Sequence, residues 1–476
     1  MKIVIRFFAK ILPLLNFIFL FPAVAHAQWS APAVISSGAV SASLNESMGP
    51  CIGVSGDTLH VVWCDKKNNT KAVIYYTQSL DTGLTWSTPI AISDTSRNSW
   101  NPAIAVNGSN VHVVWRDVST INGHRASWYK HSLDGGITWG SGVFLDSTAD
   151  WPAVSVSGTK VYVANDVVTS QSPYNTEIFF LRSLDNGLTW SSPQQLTFSV
   201  GRSEDEAIMA QGSYVHMSWN DNRNGYMQIF YKQSADYGVT WGADTLINSE
   251  HSYGTMVCVD STNIDIPSAG APSGHYQIHL NQSGDNGLTW GVDKNLTNDT
   301  AHTYFYPYMV RDDSDLHVVC GGSAGAKYLH SGDGGLTWDS AYTYTGGSSF
   351  IAYTGCALHI IFADAAHKIN YMRNPNGNAG YCGGVIIGLN ETQKSNHVNI
   401  FPNPFINETT LKISSSEKIT NAELKIFDIF GNELRTVSEI NSSEINIERG
   451  TLSSGIYFYQ VKNNGINVAT GKLILQ

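Results

Sequence analysis

Apolar and polar residues alternate in short runs along most of the chain. Ala103-Ile104-Ala105-Val106 is followed by Asn107-Gly108, then by Val111-His112-Val113-Val114-Trp115, and then by Ser127-Trp128-Tyr129-Lys130. Short runs rich in β-branched and aromatic residues predict strands, and Asn-Gly between two of them predicts a tight hairpin. A fourth run lies around Val143-Phe144-Leu145. Four antiparallel strands in succession make one unit.

The unit repeats. Ser79-Leu80-Asp81-Thr82-Gly83-Leu84-Thr85-Trp86 recurs at Ser132–Trp139, Ser183–Trp190, Ser234–Trp241, Ser283–Trp290 and Ser331–Trp338, each reading Ser-x-Asp-x-Gly-x-Thr-Trp. The aspartates are Asp81, Asp134, Asp185, Asp236, Asp285 and Asp333, spaced by 53, 51, 51, 49 and 48 residues. A four-stranded unit of this period is the blade of a β-propeller. Within the motif, Asp accepts hydrogen bonds from nearby amides, Gly takes a left-handed turn conformation, and Trp supplies apolar area for packing. Six copies point to a structural role for these aspartates.

After the sixth motif come three more strand-like runs without a box, Phe350–Tyr353, Ala357–Phe362 and Lys368–Tyr371. At the other end, Gln28–Ser36 resembles Thr85–Ser93, the segment that closes the first motif. An N-terminal strand that completes the last unit would close the ring and remove exposed edges. The expectation is an all-β chain with a seven-bladed β-propeller over residues 28–373. A six-bladed ring with accessory strands is the alternative.

Charge and composition narrow the setting. The net charge is −11 and Lys and Arg nowhere cluster, which excludes a nucleic-acid partner. Residues 1–27 read as a signal peptide: Lys2, Arg6 and Lys10, then an apolar Ile11–Ala23, then Ala25-His26-Ala27. No later stretch is long enough to span a bilayer, so no transmembrane segment is expected in the mature chain. Six cysteines leave two pairs open, Cys51 with Cys64 and Cys356 with Cys382, either as bridges or as buried thiols. No metal-ligand spacing appears, and neither a metal nor a cofactor is expected.

The octapeptide is similar to the Asp-box, or BNR repeat, of sialidase-like propellers, and the resemblance covers residues 28–373. It implies that the boxes lie between third and fourth strands, on the face away from any active site. In that family three arginines grip a sugar carboxylate, the first in an Arg-Ile-Pro motif, beside a Tyr nucleophile polarised by Glu and an Asp acid/base. This chain has no Arg-Ile-Pro; its nearest match is Asp265-Ile266-Pro267. No catalytic residue is carried over, and catalytic residues stay unassigned.

On the other face the segments between units carry Arg97 and Trp100, Asp150 and Trp151, Arg202 with Glu204, Asp205 and Glu206, His251 and Tyr253, then His302, Tyr304 and Tyr306. The loops between second and third strands carry Asp65, Arg116 with Asp117, Asp166, Asp221 with Arg223, and Asp364. Rings, carboxylates and guanidiniums suit a sugar or peptide ligand. The ligand-binding candidates are Arg97, Trp100, Arg116, Trp151, Arg202, Glu204, Arg223, Tyr253 and Tyr304. Asp65, Asp117, Asp166, Asp221 and Asp364 recur at one repeat position and read as turn caps. His60, His112, His216, His317 and His359 recur in the second strand and read as packing or hydrogen-bonded positions.

Composition shifts after Asn374. Residues 374–393 read as a linker and residues 394–476 as a small Ig-like β-sandwich. Phe401-Pro402-Asn403-Pro404, Ser454-Gly455-Ile456-Tyr457 and Gly471-Lys472-Leu473 stand in the order of the type A C-terminal sorting domain of the type IX secretion system, which this tail resembles. That implies the type IX machinery as a partner and a secreted or outer-membrane-attached protein. The expected function is binding of an extracellular glycan or protein. A sialidase or related glycoside hydrolase, and a purely structural surface component, are the alternatives.

Overall fold

The computed structural model describes residues 29–36, 42–44, 51–66, 71–118, 125–248, 250–271, 274–339, 341–377, 397–401, 403, 405–414, 419–428, 433–463 and 466–475. The signal peptide, most of the linker, Cys382, Pro402 and Pro404 lie outside these residues. Every regular element among them is a β-strand, and no helix there is long and apolar enough to cross a membrane. The chain divides into two compact units, Met1–Gly384 and Val385–Gln476.

The described residues of the first unit form seven sheets. Sheet I holds Ile52–Ser55, Thr58–Asp65, Val73–Ser79 and Ile90–Ala91; sheet II holds Asn98–Asn107, Asn110–Val118, Arg125–Ser132 and Val143–Asp146. Sheet III holds Ala149–Ser157, Lys160–Gln171, Tyr174–Ser183 and Gln194–Gln195; sheet IV holds Ser203–Gln211, Tyr214–Asp221, Gln228–Ser234 and Thr245–Asn248. In sheet V the first strand is split into Ser252–Thr255 and Cys258–Asp260, followed by Asn263–Gly270, Gln277–Ser283 and Lys294–Asn295. Sheet VI holds Tyr304–Asp312, Asp315–Gly322, Ala326–Ser331 and Tyr342–Tyr344. Sheet VII holds Ser349–Thr354, Ala357–Ala363 and Ile369–Asn374, and its fourth strand is Ala33–Val34 from the start of the chain.

First strands pack each on the next, and Ser349–Thr354 packs on both Tyr304–Asp312 and Ile52–Ser55, which closes a ring. The N-terminal segment seals the circle: Ala33 pairs with Tyr371 and Val34 with Asn370. The axis holds a cavity of about 220 Å³ lined by first-strand residues such as Ile104, Val156 and Ala210, and by Val257 between the two pieces of the first strand of sheet V.

Each box closes on itself identically. In the second, Ser132 Oγ donates to Asp134 Oδ1 at 2.7 Å and accepts from the Gly136 amide at 2.8 Å. The Thr138 amide and hydroxyl donate to the two Asp134 oxygens at 2.8 and 2.6 Å. The box Trp then stacks edge-on against the third strand of the preceding sheet: Trp139 on Tyr76, Trp190 on Tyr129, Trp290 on Tyr231. At the seam, Trp86 of sheet I meets Tyr371 of sheet VII, and Trp29 meets Tyr328. The box glycine has a second reason to be Gly: a Cβ on Gly136 would lie 1.8 Å from Tyr76 Oη. The second-strand histidines hold these tyrosines in place. His60, His112, His216, His317 and His359 bond Tyr76, Tyr129, Tyr231, Tyr328 and Tyr371 through Nδ1 at 2.7–2.9 Å. The boxes lie beside the turns between first and second strands, as in the Gly135 amide to Ser109 carbonyl bond of 2.8 Å.

Cys51, Cys64, Cys258 and Cys320 are buried free thiols, and Cys356 is disulfide-bonded. The Cys51–Cys64 bridge is therefore not made; Cys64 Sγ instead lies 3.0 Å from Ser43 Oγ.

The described residues of the second unit form two sheets, one of His397–Phe401, Glu408–Ser414 and Glu444–Glu448, the other of Glu433–Ile440, Ala422–Phe427, Gly455–Asn463 and Ile466–Leu475. Burial alternates with period two along Ala422–Phe427 and Glu444–Glu448. Leu411, Ile445 and Ile447 of one sheet share a core with Leu424, Ile426, Tyr459 and Val461 of the other.

Candidate ligand-binding face

The end of the ring opposite the boxes is formed by the starts of the first strands and the loops between second and third strands. There, in five successive sheets, the first strand shifts register, between Trp100 and Ala103, Asp150 and Ala153, Glu204 and Ala207, Tyr253 and Thr255, and Phe305 and Tyr308. The bulged residues Asn101, Trp151, Asp205, Gly254 and Tyr306 all have positive φ, from 42° to 59°. Bulges of this kind re-aim side chains, and four of the five sit at a conformation that β-carbons resist. The bulge repeats while the residue it carries changes, so the scaffold is common and the chemistry is local.

The most distinctive chemistry lies at sheets III and IV. Asp150 and Asp166 are directly paired across the first two strands of sheet III, and both are buried. Arg116 and Arg125 both donate to Asp150, and the Arg116 guanidinium lies 5.0 Å from the Trp151 ring centre. Asp166 Oδ1 and both carboxyl oxygens of Glu206 are buried without a hydrogen-bond partner. The same holds for both side-chain polar atoms of Asn165, for Thr176 Oγ1 and for Asn220 Oδ1. Native interiors rarely leave such atoms unsatisfied, and a concentration of them marks a site where water or a ligand belongs.

Burial raises the acids. The Asp166 carboxyl stands well above its usual range, first through burial and then through Asp150, Asp205 and Glu204. Glu206 is raised by burial and then by Asp166. Glu204 is pushed up to about 7 by burial and by Asp205, against the pull of Arg202, which lies at 3.3 Å. Asp205, also raised by burial, accepts from Asn220 Nδ2 at 2.8 Å. Tyr174 stands half exposed above this group and feels Asp166, Arg125, Glu204 and Asp150. Several buried acid groups with raised pKa values on one face mark a candidate functional site.

The loop joining the two sheets is pinned on both sides. The Gly201 amide donates to Asn175 Oδ1 at 2.9 Å, and the Arg202 amide to Asn222 Oδ1 at 2.7 Å. Ser203 Oγ donates to Asp221 at 2.9 Å. Beside it, at sheets IV and V, Tyr226, His251, Tyr253 and Tyr276 meet edge to face with ring centres 5.1–6.4 Å apart.

Of the sequence candidates, Arg116, Trp151, Arg202 and Glu204 therefore gather at the acid group, and Tyr253 joins the aromatic group. Trp100 lies apart, under Lys66 at 5.6 Å. Arg97 stacks on Trp128 at 4.3 Å and pairs with Asp94 and Asp117. Arg223 is locked between Asp221 and Asp244 at 2.6 and 2.8 Å. Tyr304 is buried, its hydroxyl on Asp299 at 2.9 Å. Asp364 and Asp221 accept amide bonds as turn caps, whereas Asp166 has an oxygen with no partner at all. Arg125, Tyr174, Asn165 and Asn220 escaped sequence reading, because only strand pairing brings them to the carboxyls.

Arg97, Arg116, Arg125, Arg202, Arg223 and Arg311 are each paired with a carboxylate. Asp265, of the Asp265-Ile266-Pro267 element, is itself the partner of Arg311 at 2.6 Å.

No curated protein matches the chain. A crystal structure of the polysaccharide lyase Uly1 is similar over 73% of this chain and 99% of that one, at 10% identity and a TM-score of 0.49. The phage phi92 endosialidase is similar over 93% and 87%, at 9% identity and 0.45. A protein of unknown function from Dyadobacter fermentans is similar over 72% and 99%, at 14% identity and 0.44. Residues 399–476 match the secretion system C-terminal sorting domain, which indicates a secreted or cell-surface-attached protein. The BNR repeat-like domain matches residues 20–318, more than half of the chain. With six closed boxes built into one ring of sheets, the chain belongs to the BNR repeat-like domain family.

Proposed function

We propose that the protein is an exported propeller that binds an extracellular glycan across sheets III to V, at the end of the ring opposite the boxes. The observation that carries this is the acid group with unsatisfied oxygens beside a cluster of exposed rings. Sugar hydroxyls donate to carboxylate and amide oxygens, and sugar C–H faces pack on aromatic rings. Tyr174 and Tyr226 are each about half exposed. Each arginine here already contacts a carboxylate, and the cluster of buried acids beside them disfavours one more negative charge, so the site favours neutral sugars over the sialic acid carboxylate.

The test is retention of the full chain on a glycan array. Glu204→Gln combined with Tyr253→Ala should abolish retention of neutral oligosaccharides while the melting profile is preserved. A parent protein that retains no glycan, or a double variant that retains all of them, would sink the proposal.

A second reading, glycoside hydrolysis, has one specific observation in its favour. Glu204 is pushed up to about 7 by burial, and a carboxyl that keeps its proton near neutrality can serve as the general acid of glycoside hydrolysis. Release of reducing sugar from a retained glycan, lost in Glu204→Gln, would favour this reading over binding alone.

A further inference from the structure

Sheets II and IV are built alike at their third and fourth strands, with one exchange. In sheet IV, Lys232 lies two residues before the box Ser234, and Asp244 lies three residues after the box Trp241. Asp244 bridges two cations, Arg223 at 2.8 Å and Lys232 at 2.7 Å. The Arg223 guanidinium covers Phe230 at 4.3 Å, Asp221 accepts from Trp219 Nε1 at 3.1 Å, and Lys232 Nζ donates to the Leu196 carbonyl at 2.7 Å.

Sheet II repeats every part but one. Lys130 stands two residues before the box Ser132, and its Nζ donates to the Ile92 carbonyl at 2.9 Å. Trp128 takes the place of Phe230, and a guanidinium again lies over it at 4.3 Å, though this one is Arg97, from the preceding segment. Asp117 accepts from Trp115 Nε1 at 2.9 Å as Asp221 does from Trp219. The residue three after the box Trp139 is Gly142. No carboxylate reaches Lys130 among the described residues, and Arg97 holds its partners loosely, at 3.4 and 3.6 Å. In place of the missing acid is a cavity of about 290 Å³ lined by Gly142, Lys130, Arg97, Trp128, Trp115 and Asp117.

The other boxed sheets show that the exchange is specific. In sheet V the same position is Asp293, which binds His279 at 2.6 Å. In sheets I, III and VI it is Pro89, Pro193 and Ala341, and the lysine position is Thr77, Leu181 and Leu329. Sheet II alone among the boxed units keeps the lysine and lacks the acid.

We propose that this cavity binds a uronic acid sugar, whose carboxylate takes the place that Asp244 fills in sheet IV. The carboxylate accepts from Lys130 and from the outward edge of Arg97. The ring lies in the space left by Gly142, and Ser93, Asp94 and Asp117 in the wall meet its hydroxyls. The volume, near the lower end for ligand pockets, admits one monosaccharide rather than a chain. This site stands on sheets I and II and is independent of the acid group at sheets III and IV.

Titration calorimetry of the full chain with glucuronate, glucose and acetate tests it. Glucuronate should bind at least about tenfold more tightly than either of the others, because only it supplies both carboxylate and hydroxyls. Gly142→Asp should rebuild the sheet IV bridge inside the chain, raise the melting temperature and weaken glucuronate about tenfold or more. A Cβ at Gly142 would meet Trp128 at 3.6 Å, ordinary contact, so Gly142→Ala should change binding by less than about threefold. Lys130→Met should weaken it as Gly142→Asp does. Equal binding of glucuronate and glucose, acetate as tight as glucuronate, no binding of glucuronate, or a Gly142→Asp variant that binds like the parent would each overturn the proposal.

Discussion

Two sets of carboxylates occupy opposite ends of this ring and behave in opposite ways. At the box end, Asp134, Asp185, Asp285 and Asp333 are held at about 2 by the hydroxyl and amide of the box Thr and the hydroxyl of the box Ser. At the other end Asp166, Glu204 and Glu206 are raised by burial. The first set spends every oxygen on its own turn; the second leaves oxygens unspent. A carboxylate satisfied by its own loop has nothing left to offer a ligand, whereas a raised, unsatisfied one is costly to the fold and marks a candidate site.

The comparison can be broken most forcefully at the box end. Gly136→Ala drives a methyl into Tyr76 at a positive-φ position and should destabilise the propeller by roughly 3 kcal/mol, read by guanidinium unfolding. An unchanged midpoint would show that the box does not need that close approach.

At the other end the sign reverses. Glu206→Gln should stabilise the protein by about 1–3 kcal/mol at pH 8, since it removes a buried, unpaired carboxyl. If the variant is less stable, the Glu206 carboxyl is satisfied by something other than the protein, such as ordered water.

The pH dependence separates the groups further. Glu204 binds its proton up to about 7 in the fold against 4.5 for a free side chain. Its contribution to stability is complete below the unfolded value and is lost as pH rises towards 7. Glu204→Gln should flatten that limb of a stability–pH curve. The second-strand histidines act on the other limb. Burial lowers His60 and His216 to about 4 from 6.5. Their contribution is complete above 6.5 and is lost as pH falls towards 4, so at pH 5 unfolding of a His216→Gln variant should take up fewer protons than unfolding of the parent, by nearly one. An equal proton balance in the two would contradict a neutral, tyrosine-bonded His216.

The smallest effect belongs to a single box carboxylate. Asp134→Asn should lower stability near neutrality, and the difference from the parent should vanish as pH falls from 3.8 to about 2. A difference that persists at pH 2 would mean that the carboxyl contributes by shape rather than by charge.

Much of the propeller was legible in the sequence because its interactions are local and repeated. Ser, Asp, Gly and Thr of a box meet within one turn, and the Trp packs one period away. The strand at Ala33–Val34 was legible for the same reason, since it copies the segment after a box. Gly142 was legible only in retrospect, since it stands out only against Asp244, which holds the equivalent position two sheets away and bridges two cations there. The acid group was half legible. Asp150, Glu204 and Glu206 were visible as charges between units, but Asp166 read as one more repeated turn cap. Nothing in the chain order announced that Arg125 and Tyr174 would reach it.

The sequence by itself determined the strand units, the box turns and the closing of the ring, because each is written close to a repeated motif, and it marked the tail through three motifs in a fixed order. Tertiary structure alone decided which charges are spent and which are left over. Whether a carboxyl finds a guanidinium, an amide or nothing depends on side chains from neighbouring strands and sheets, and burial, which no local pattern reports, sets what an unmatched charge costs.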